Sequence, residues 1–196
     1  MKNKITNIIC CGVGGQGVLL FTDILANVAM SAGLDVKKSE VHGMAQRGGS
    51  VISQLRYGEK VFSPLIEETT ADFIVGFEKL ETLRYLHYLS EKGKVLVDDL
   101  EIAPLPVLVG ETEYPKDILP RIKARAKKVY VIEAFNRALQ LGESRTQNVI
   151  MLGALSCFLK FPLELYFSAI QQNIKAKFVE LNLKAFEQGR TLIKKQ

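Results

Sequence analysis

The sequence predicts an α/β fold in which a mostly parallel, doubly wound sheet is flanked by helices. Short apolar, β-branched segments alternate with segments of helical spacing over residues 5–141. A glycine-rich turn, GVGGQG at residues 12–17, joins the first strand to the first helix. Residues 148–194 show helical spacing alone. Such alternation is typical of a parallel sheet, so we expect a single domain over residues 1–196 with the C-terminal helices packed on its sheet.

The first half of the chain carries most of the strand patterns. Its first segment is apolar without interruption, as in a buried parallel strand. The segment after the glycine turn has a wide apolar face of helical period and ends at Gly33, a natural C-cap. The segment SVISQLRY alternates between two faces, and Gly58-Glu59 marks a turn after it. We therefore expect a helix at residues 16–32 and strands at 5–11, 35–41, 50–57, 71–77 and, pairing back as a hairpin, 60–62.

The second half of the chain becomes progressively helical. Leucines recur at helical intervals before Gly93, and short apolar strands follow that glycine. Gly142 is expected to end a helix, and the SRTQN stretch is the best candidate for a long loop. We expect strands at 94–97 and 128–132, an extended piece at 107–109, and helices at 79–91, 118–126, 134–141, 148–159, 162–173 and 176–193.

Composition excludes several classes of function. The net charge is +5 with a pI near 9.0, but Lys and Arg are spread along the chain rather than gathered in a basic stripe with aromatics. We expect no nucleic-acid binding, while a docking face for an acidic partner or an anionic cofactor is compatible with this charge. No apolar run reaches the roughly 18 to 20 residues that span a bilayer, and the amino terminus lacks a signal-peptide pattern. We expect a cytoplasmic protein.

The three cysteines, Cys10, Cys11 and Cys157, form no CxxC pair. Adjacent residues of a strand point to opposite faces, so Cys10 and Cys11 are expected to be separated by the sheet. The sequence therefore predicts no metal site, no iron–sulfur cluster and no disulfide framework, which suits a reducing compartment.

The glycine turn is the first candidate site. Gly12, Gly14 and Gly17 satisfy GxGxxG between a strand and a helix, the context of a Rossmann-like dinucleotide site. There the backbone amides at the helix start face an anion. A tight turn without any ligand explains the same glycines. Gly15 and Gln16 add a fourth glycine and a polar amide at the helix entry.

The second candidate is the loop HGMAQRGGS at residues 42–50, which follows the predicted second strand. Ligands of doubly wound folds bind at that edge of the sheet. Arg47 offers a planar fork for a phosphate or a carboxylate, and Gly48 and Gly49 allow close approach to the backbone. A surface salt bridge is the alternative role for Arg47.

A nicotinamide cofactor makes one further demand, a carboxylate at the end of the second strand, about 20 residues after the turn. Glu40 lies 23 residues after Gly17 and directly before a polar, glycine-rich loop, so it fills that role poorly. A free-standing oxidoreductase that binds NAD or FAD remains the alternative interpretation.

Together, GVGGQGVLLFTDILANVAMSAG and SEVHGMAQRGGSVISQLRYG resemble the gamma domain of 2-oxoacid:ferredoxin oxidoreductases. Within that family, EVHGMAQRGGSV is most similar to the branch that acts on indolepyruvate and other arylpyruvates. The strong match covers about the first 60 residues, and RTQNVIMLGAL is compatible with it. The matching positions are Gly12, Gly14, Gly15, Gln16, Gly17, Gln46, Arg47, Gly48, Gly49 and Ser50.

The resemblance implies an α/β domain that is one part of a larger enzyme. The family decarboxylates 2-oxoacids on thiamine diphosphate, passes two electrons through iron–sulfur clusters to ferredoxin and delivers the acyl group to coenzyme A. This sequence has neither a cluster ligand set nor a thiamine signature. We expect thiamine diphosphate, Mg²⁺ and the clusters on a large alpha subunit, and ferredoxin to be reached through the complex.

For this chain the sequence leaves the roles of scaffold, gate, interaction module or part of the coenzyme A site. We expect coenzyme A near the glycine turn, no covalently bound cofactor and no catalytic residue on this chain. The isolated chain is expected to be inactive, and a homodimer is compatible with it.

Overall fold

The computed structural model describes residues 5–42 and 48–194, and it contains a six-stranded sheet with helices on both faces. The order across the sheet is β2-β3-β1-β4-β5-β6. Strands β1, β4, β5 and β6 are mutually parallel, and β3 runs antiparallel between β1 and β2. The strands are β1 (Thr6–Val13), β2 (Asp35–His42), β3 (Ser50–Gly58), β4 (Ala71–Gly76), β5 (Leu89–Asp98) and β6 (Val129–Ile132). The predicted α/β class with a mostly parallel sheet is confirmed.

The helices divide between the two faces of the sheet. The larger core holds α1 and the C-terminal helices, and the smaller core holds α2 and α4. The first face therefore carries α1 (Val18–Ser31), α5 (Ala134–Gln140), α6 (Gln147–Ser156), α7 (Leu163–Asn173) and α8 (Ala176–Lys194). The second carries α2 (Lys79–Arg84) and α4 (Ile118–Arg125), and a short helix α3 (Leu105–Leu108) lies between them in the chain. The C-terminal helices thus share one core with α1.

Strand β1 shows how the sequence divides these two cores. Cys10 is buried with Phe21 and Ile150 on the α1 face, and Cys11 is buried with Ile74 on the other. Alternate side chains of a strand point to opposite faces, which is why two neighbouring cysteines lie in different cores, as predicted.

The position of β3 departs from a plain doubly wound order. Strand β3 pairs with β1 from Thr6↔Tyr57 to Val13↔Ser50, and with β2 along its other edge. Because β3 is inserted there, β2 becomes the edge strand and lies two strands from β1, about 10 Å away at the usual spacing. The same pairing sets the start of β3 directly beside the glycine turn.

Four local expectations are wrong. The SRTQN stretch, expected to form a long loop, forms a 3₁₀ turn at Ser144–Thr146 and the start of α6 at Gln147. The predicted helix at 79–91 ends at Arg84, and β5 begins at Leu89, so Gly93 lies inside a strand where the β4–β5 register shifts. Residues 107–109 belong to α3 and its end, after Pro104 at the N-cap. Residues 60–62 form no strand, and the Val61 amide instead donates to Asp35.

Candidate functional site

The two glycine-rich stretches of the sequence meet in the structure. The Gly14 amide donates to the Gly49 carbonyl at 2.8 Å, and the Gly48 amide donates to the Gly14 carbonyl at 3.3 Å. This exchange extends the β1–β3 pairing by one step beyond Val13 and Ser50. The structure therefore joins Gly12 to Gly17 and Gly48 to Ser50 in one site. Two further candidates of the sequence, Gln46 and Arg47, lie outside the described residues.

The turn needs glycine for reasons within the protein itself. Gly17 has φ 77°, and a Cβ there would lie 2.5 Å from Nδ2 of Asn148. A Cβ on Gly12 would lie 2.7 Å from Oε1 of Gln16 and 2.9 Å from Cβ of Phe77. Both contacts are closer than ordinary packing permits, so these two glycines are required whether or not a ligand binds.

Gln16 fastens the turn to the sheet. Its Oε1 accepts from the Val13 amide at 2.6 Å, and its Nε2 donates to the Phe77 carbonyl at 2.8 Å. Phe77 directly follows β4, so one side chain bridges the carboxyl ends of two neighbouring parallel strands. The sequence marked Gln16 as a candidate binding residue, and the structure gives its amide group two backbone partners.

A buried carboxylate, Asp98, continues this network at the end of β5. It accepts from the Ala134 and Phe135 amides at the start of α5, each at 2.9 Å, and from Nε2 of Gln147 at 2.7 Å. Burial raises the pKa of Asp98 to about 6, against the lowering effect of these hydrogen bonds. A carboxylate at the carboxyl end of a parallel strand was the available sequence signal, but the partnership with Gln147 was not visible there.

Ser50 connects the site to a second buried carboxylate. Its Oγ donates to Glu81 at 2.5 Å and lies 3.1 Å from the Tyr85 hydroxyl. Burial raises the pKa of Glu81, while the hydrogen bond from Ser50 and the charge of Arg84 lower it. Residue 81 looked like an ordinary helix position in sequence, so this contact was missed.

Glu78 is buried beside it and caps α2 by accepting from the Glu81 amide at 2.8 Å. Its other oxygen accepts from the Tyr114 hydroxyl, and burial, together with this hydrogen bond, raises the pKa of Tyr114. Two buried carboxylates therefore lie on α2 and at its start: Glu78 is held by neutral donors, whereas Glu81 accepts from Ser50 and also pairs with Arg84 at 3.2 Å.

A cavity of about 490 Å³ opens at the turn. Its walls are the backbone of the glycines and apolar side chains: Val13, Gly14, Gly15, Gly17, Val18, Leu19, Leu20 and Val51. The amides of Gly15 and Gly17 have no acceptor among the described residues, and the first amides of α1 have none within the helix. The cavity thus offers backbone donors at a helix start beside an apolar wall, which suits an anionic group carried on an apolar chain.

The side-chain cations at this edge of the sheet already have carboxylate partners. Lys79 pairs with Asp99 at 2.8 Å and with Glu101 at 2.7 Å, and Arg145 pairs with Glu143 at 2.5 Å. In the described part of the site, an anion would therefore be met by backbone amides rather than by unpaired cations.

The described residues contain no group of three or more His, Cys, Asp or Glu side chains that could hold a metal ion. Cys10 and Cys11 are fully buried on opposite faces of β1, and burial raises the pKa of both thiols. Cys157 lies at the end of α6, and burial raises its pKa as well. Three thiols so placed do not fit an iron–sulfur cluster. No helix among the described residues has the length and apolarity needed to cross a membrane.

Solved structures of known proteins share this fold. The gamma subunit of a keto/oxoacid ferredoxin oxidoreductase from Geobacter sulfurreducens matches 97% of this chain and 99% of its own, with a TM-score of 0.70 and 23% identity. A second match is a 2-oxoglutarate:ferredoxin oxidoreductase from Magnetococcus marinus, which was solved with 2-oxoglutarate, coenzyme A and succinyl-CoA bound. The match covers 100% of this chain and 32% of that chain, with a TM-score of 0.75 and 20% identity. The fold is therefore that of the gamma subunits of these oxidoreductases.

Sequence comparison specifies the family. The model of the pyruvate ferredoxin/flavodoxin oxidoreductase family matches residues 7–192, so the chain belongs to that family. Proteins named indolepyruvate oxidoreductase subunit IorB are 39% identical to it in Thermococcus kodakarensis and 38% identical in Pyrococcus horikoshii, and each match covers 95% of both chains. The resemblance seen in the sequence is confirmed, and the chain is a subunit of an oxidoreductase that acts on 2-oxoacids.

Proposed function

We propose that this chain completes the coenzyme A site of an oxidoreductase that oxidatively decarboxylates arylpyruvates such as indolepyruvate to aryl-acetyl-CoA. Relatives that are 37–39% identical over nearly their full length are named for indolepyruvate, which supports this choice of substrate. The Magnetococcus marinus relative in fold was solved with coenzyme A bound, which supports the choice of cofactor.

The observation that carries the coenzyme A proposal is the cavity at the glycine turn. Coenzyme A combines phosphate groups with a long, mainly apolar pantetheine arm. The amides of Gly15, Gly17 and the start of α1 suit the phosphates, and Leu19 and Val51 suit the arm. Gln46, Arg47, Gly48, Gly49 and Ser50 belong to the neighbouring segment, where Arg47 is proposed to supply a guanidinium to a phosphate.

The remaining cofactors are proposed to lie on a large alpha subunit. Thiamine diphosphate with Mg²⁺ supplies the decarboxylation chemistry, and iron–sulfur clusters carry the electrons to ferredoxin. The three cysteines of this chain do not fit a cluster, so a partner must hold these groups. Relatives that match this chain are named as subunits, which supports such an assembly. We propose that the assembly is cytoplasmic.

The alternative of a free-standing NAD- or FAD-binding oxidoreductase is less well supported. Its ribose carboxylate would be Glu40, on β2, but β3 separates β2 from the turn. Glu40 instead pairs with Lys38 at 2.6 Å, and Lys38 also pairs with Asp23. Bound flavin in the purified chain, or measurable affinity for NADH, would favour this alternative.

Affinity purification of the chain from an anaerobic lysate of its source tests the assembly. Recovery of a large subunit that carries a thiamine signature and clustered cysteines is expected. Recovery of the chain alone with a bound nucleotide would contradict the proposal.

Variants of Leu19 test the coenzyme A site in the assembled enzyme. Leu19 lies in the first turn of α1, is partly exposed and lines the cavity. Leu19→Glu places a negative charge beside the proposed phosphate position, and we expect the KM for coenzyme A to rise about tenfold with little change in the KM for arylpyruvate. Leu19→Gln is the neutral control of the same shape. Equal KM values for coenzyme A in the two variants would show that coenzyme A does not bind in this cavity.

A further inference from the structure

A second cleft lies at the amino ends of the parallel strands, whereas the glycine turn lies at their carboxyl ends. The cleft is formed by the amino ends of β1, β4 and β5, by the end of the antiparallel β3, and by residues 158–161 between α6 and α7. Its volume is about 470 Å³, similar to that of the cavity at the turn. Neither the family comparison nor the proposed coenzyme A site gives it a role.

Three lysines line this cleft, and none of them has a carboxylate partner among the described residues. Lys94 is half-buried, while Lys92 and Lys160 are exposed. The one carboxylate of the wall, Asp72, accepts from the Asn7 amide at 2.9 Å through a single oxygen. The cleft therefore carries a surplus of positive charge, although elsewhere in the chain many lysines pair with carboxylates.

Lys94 is held over two aromatic rings. Its Nζ lies 5.1 Å from the centre of the Phe73 ring and 5.7 Å from that of Phe158. Lys94 is paired with Phe73 across β4 and β5, and it lies on the same face of β5 as Leu96, which is buried in the larger core. The sheet register therefore fixes this ammonium group at the boundary between the aromatic wall and solvent.

The wall beneath the lysines is aromatic. The Phe158 ring lies 4.7 Å from the ring of Tyr130, and the Phe161 ring lies 5.3 Å from the ring of Tyr57. Tyr57 is buried, and burial raises the pKa of its hydroxyl to about 12, so it stays neutral. The cleft thus combines an uncharged wall of mutually tilted aromatic rings with three ammonium groups at its mouth.

We propose that this cleft binds a small aromatic phosphate ester of the mononucleotide type. Its ring packs against Phe158 and Phe161, and its phosphate contacts Lys92, Lys94 and Lys160. A phosphate monoester is nearly a dianion at pH 7, which matches three ammonium groups set against one carboxylate. The free oxygen of Asp72 remains available to accept a hydrogen bond from a ligand hydroxyl.

Calorimetric titration of the full chain with adenosine 5′-monophosphate (AMP), adenosine and inorganic phosphate tests the proposal. Saturable binding of AMP is expected, with affinity at least tenfold above that of adenosine or phosphate alone. Lys94→Met keeps the apolar stem over the two rings and removes the charge, and Lys160→Met removes an exposed charge without risk to the core. Each is expected to weaken AMP binding about tenfold, as the loss of one close charge contact predicts. Lys184→Met on α8 is the distant control.

Four results would overturn the proposal. They are absence of saturable AMP binding, equal affinity for phosphate and AMP, AMP binding that is unchanged in both Lys94→Met and Lys160→Met, and AMP binding that is weakened by Leu19→Glu. The last result would place the nucleotide at the glycine turn. Failure of this proposal can therefore be distinguished from failure of the coenzyme A proposal.

Discussion

The side-chain amides of Gln16 and Gln147 donate to the same oxygen, the carbonyl of Phe77, at 2.8 Å and 3.0 Å. Gln16 lies just before α1, and Gln147 is the first residue of α6. Gln147 also donates to Asp98, which holds the start of α5. Residues far apart in the chain thereby join the carboxyl ends of β1, β4 and β5 to the starts of three helices. The position of the glycine turn depends on this network.

Replacement of Gln16 by leucine should destabilise the protein. The change leaves the Val13 amide without its acceptor and removes one of the two donors to the Phe77 carbonyl. The free energy of unfolding should fall by about 1 to 3 kcal/mol, the usual cost of leaving a buried polar group unpaired. Urea denaturation measures it. Gln172→Leu, on the exposed side of α7, is the control, and an equal loss in both variants would contradict the role given to Gln16.

Asp98 should make stability depend on pH in the acidic range. Its pKa is about 6 in the folded protein, above the unfolded value of about 3.9. As the pH rises from about 4 to 6, the unfolded chain releases this proton while the folded chain retains it, so the Asp98 contribution to stability falls, by on the order of 2 to 3 kcal/mol.

Asp98→Asn should remove this contribution, because asparagine does not titrate. The difference in unfolding free energy between the wild-type chain and the variant should therefore shift in favour of the variant as the pH rises through this range. Urea denaturation at a series of pH values measures the difference, in which the other carboxylates cancel. Parallel stability curves would show that Asp98 keeps its ordinary pKa.

Two glycines of the turn should respond differently to alanine. Both have positive φ, 107° for Gly15 and 77° for Gly17, so each substitution costs about 1 kcal/mol in backbone strain. A Cβ at Gly15 meets nothing within 4 Å, whereas one at Gly17 meets Asn148. We expect Gly17→Ala to cost about 1 to 2 kcal/mol more than Gly15→Ala in thermal or urea unfolding. In the double variant with Asn148→Ala, the additional loss of unfolding free energy should be recovered. If it is not recovered, the additional loss comes from backbone strain alone.

Where α6 and α8 cross, replacing a helical glycine by alanine should destabilise the protein, the reverse of the usual effect. Replacing an interior helical glycine by alanine ordinarily stabilises a helix by about 1 kcal/mol. A Cβ at Gly189 would lie 1.9 Å from the Ile150 carbonyl oxygen, so the helices would have to separate. Gly189→Ala should therefore lower the unfolding free energy by about 3 kcal/mol or more. Gln188→Ala, on the exposed side of α8, should change it little, and a stabilised Gly189→Ala would contradict this packing.

Much of the fold could be predicted from local pattern. The unbroken apolar run of β1, the helical face of α1 and the caps at Gly33 and Gly142 are local signals, and the elements lie close to the predicted bounds. The errors at β5 and at residues 60–62 arose where a turn residue was interpreted alone. Gly93 is compatible with a helix end or a strand irregularity, and only pairing with β4 distinguishes the two.

The candidate site was predictable in part. The resemblance grouped residues 12–17 with residues 46–50, and for the described residues the Gly14 and Gly49 hydrogen bond agrees with that grouping. Gln147, Asp98 and Glu81 were not predicted as members, because each reaches the site through contacts across 31 to 70 residues of chain. No periodicity carries that information.

The sequence by itself determined the α/β class, the order of most of its elements and the family, because periodicity and motif spacing are properties of neighbouring residues. Only the tertiary structure decided that β3 lies between β1 and β2, that two distant glutamines share one carbonyl, and that lysines at the far edge of the sheet gather over aromatic rings. These features depend on which strands pair and how closely helices approach. Pairing and packing are settled by the joint burial of residues distant in the chain, which local pattern does not specify.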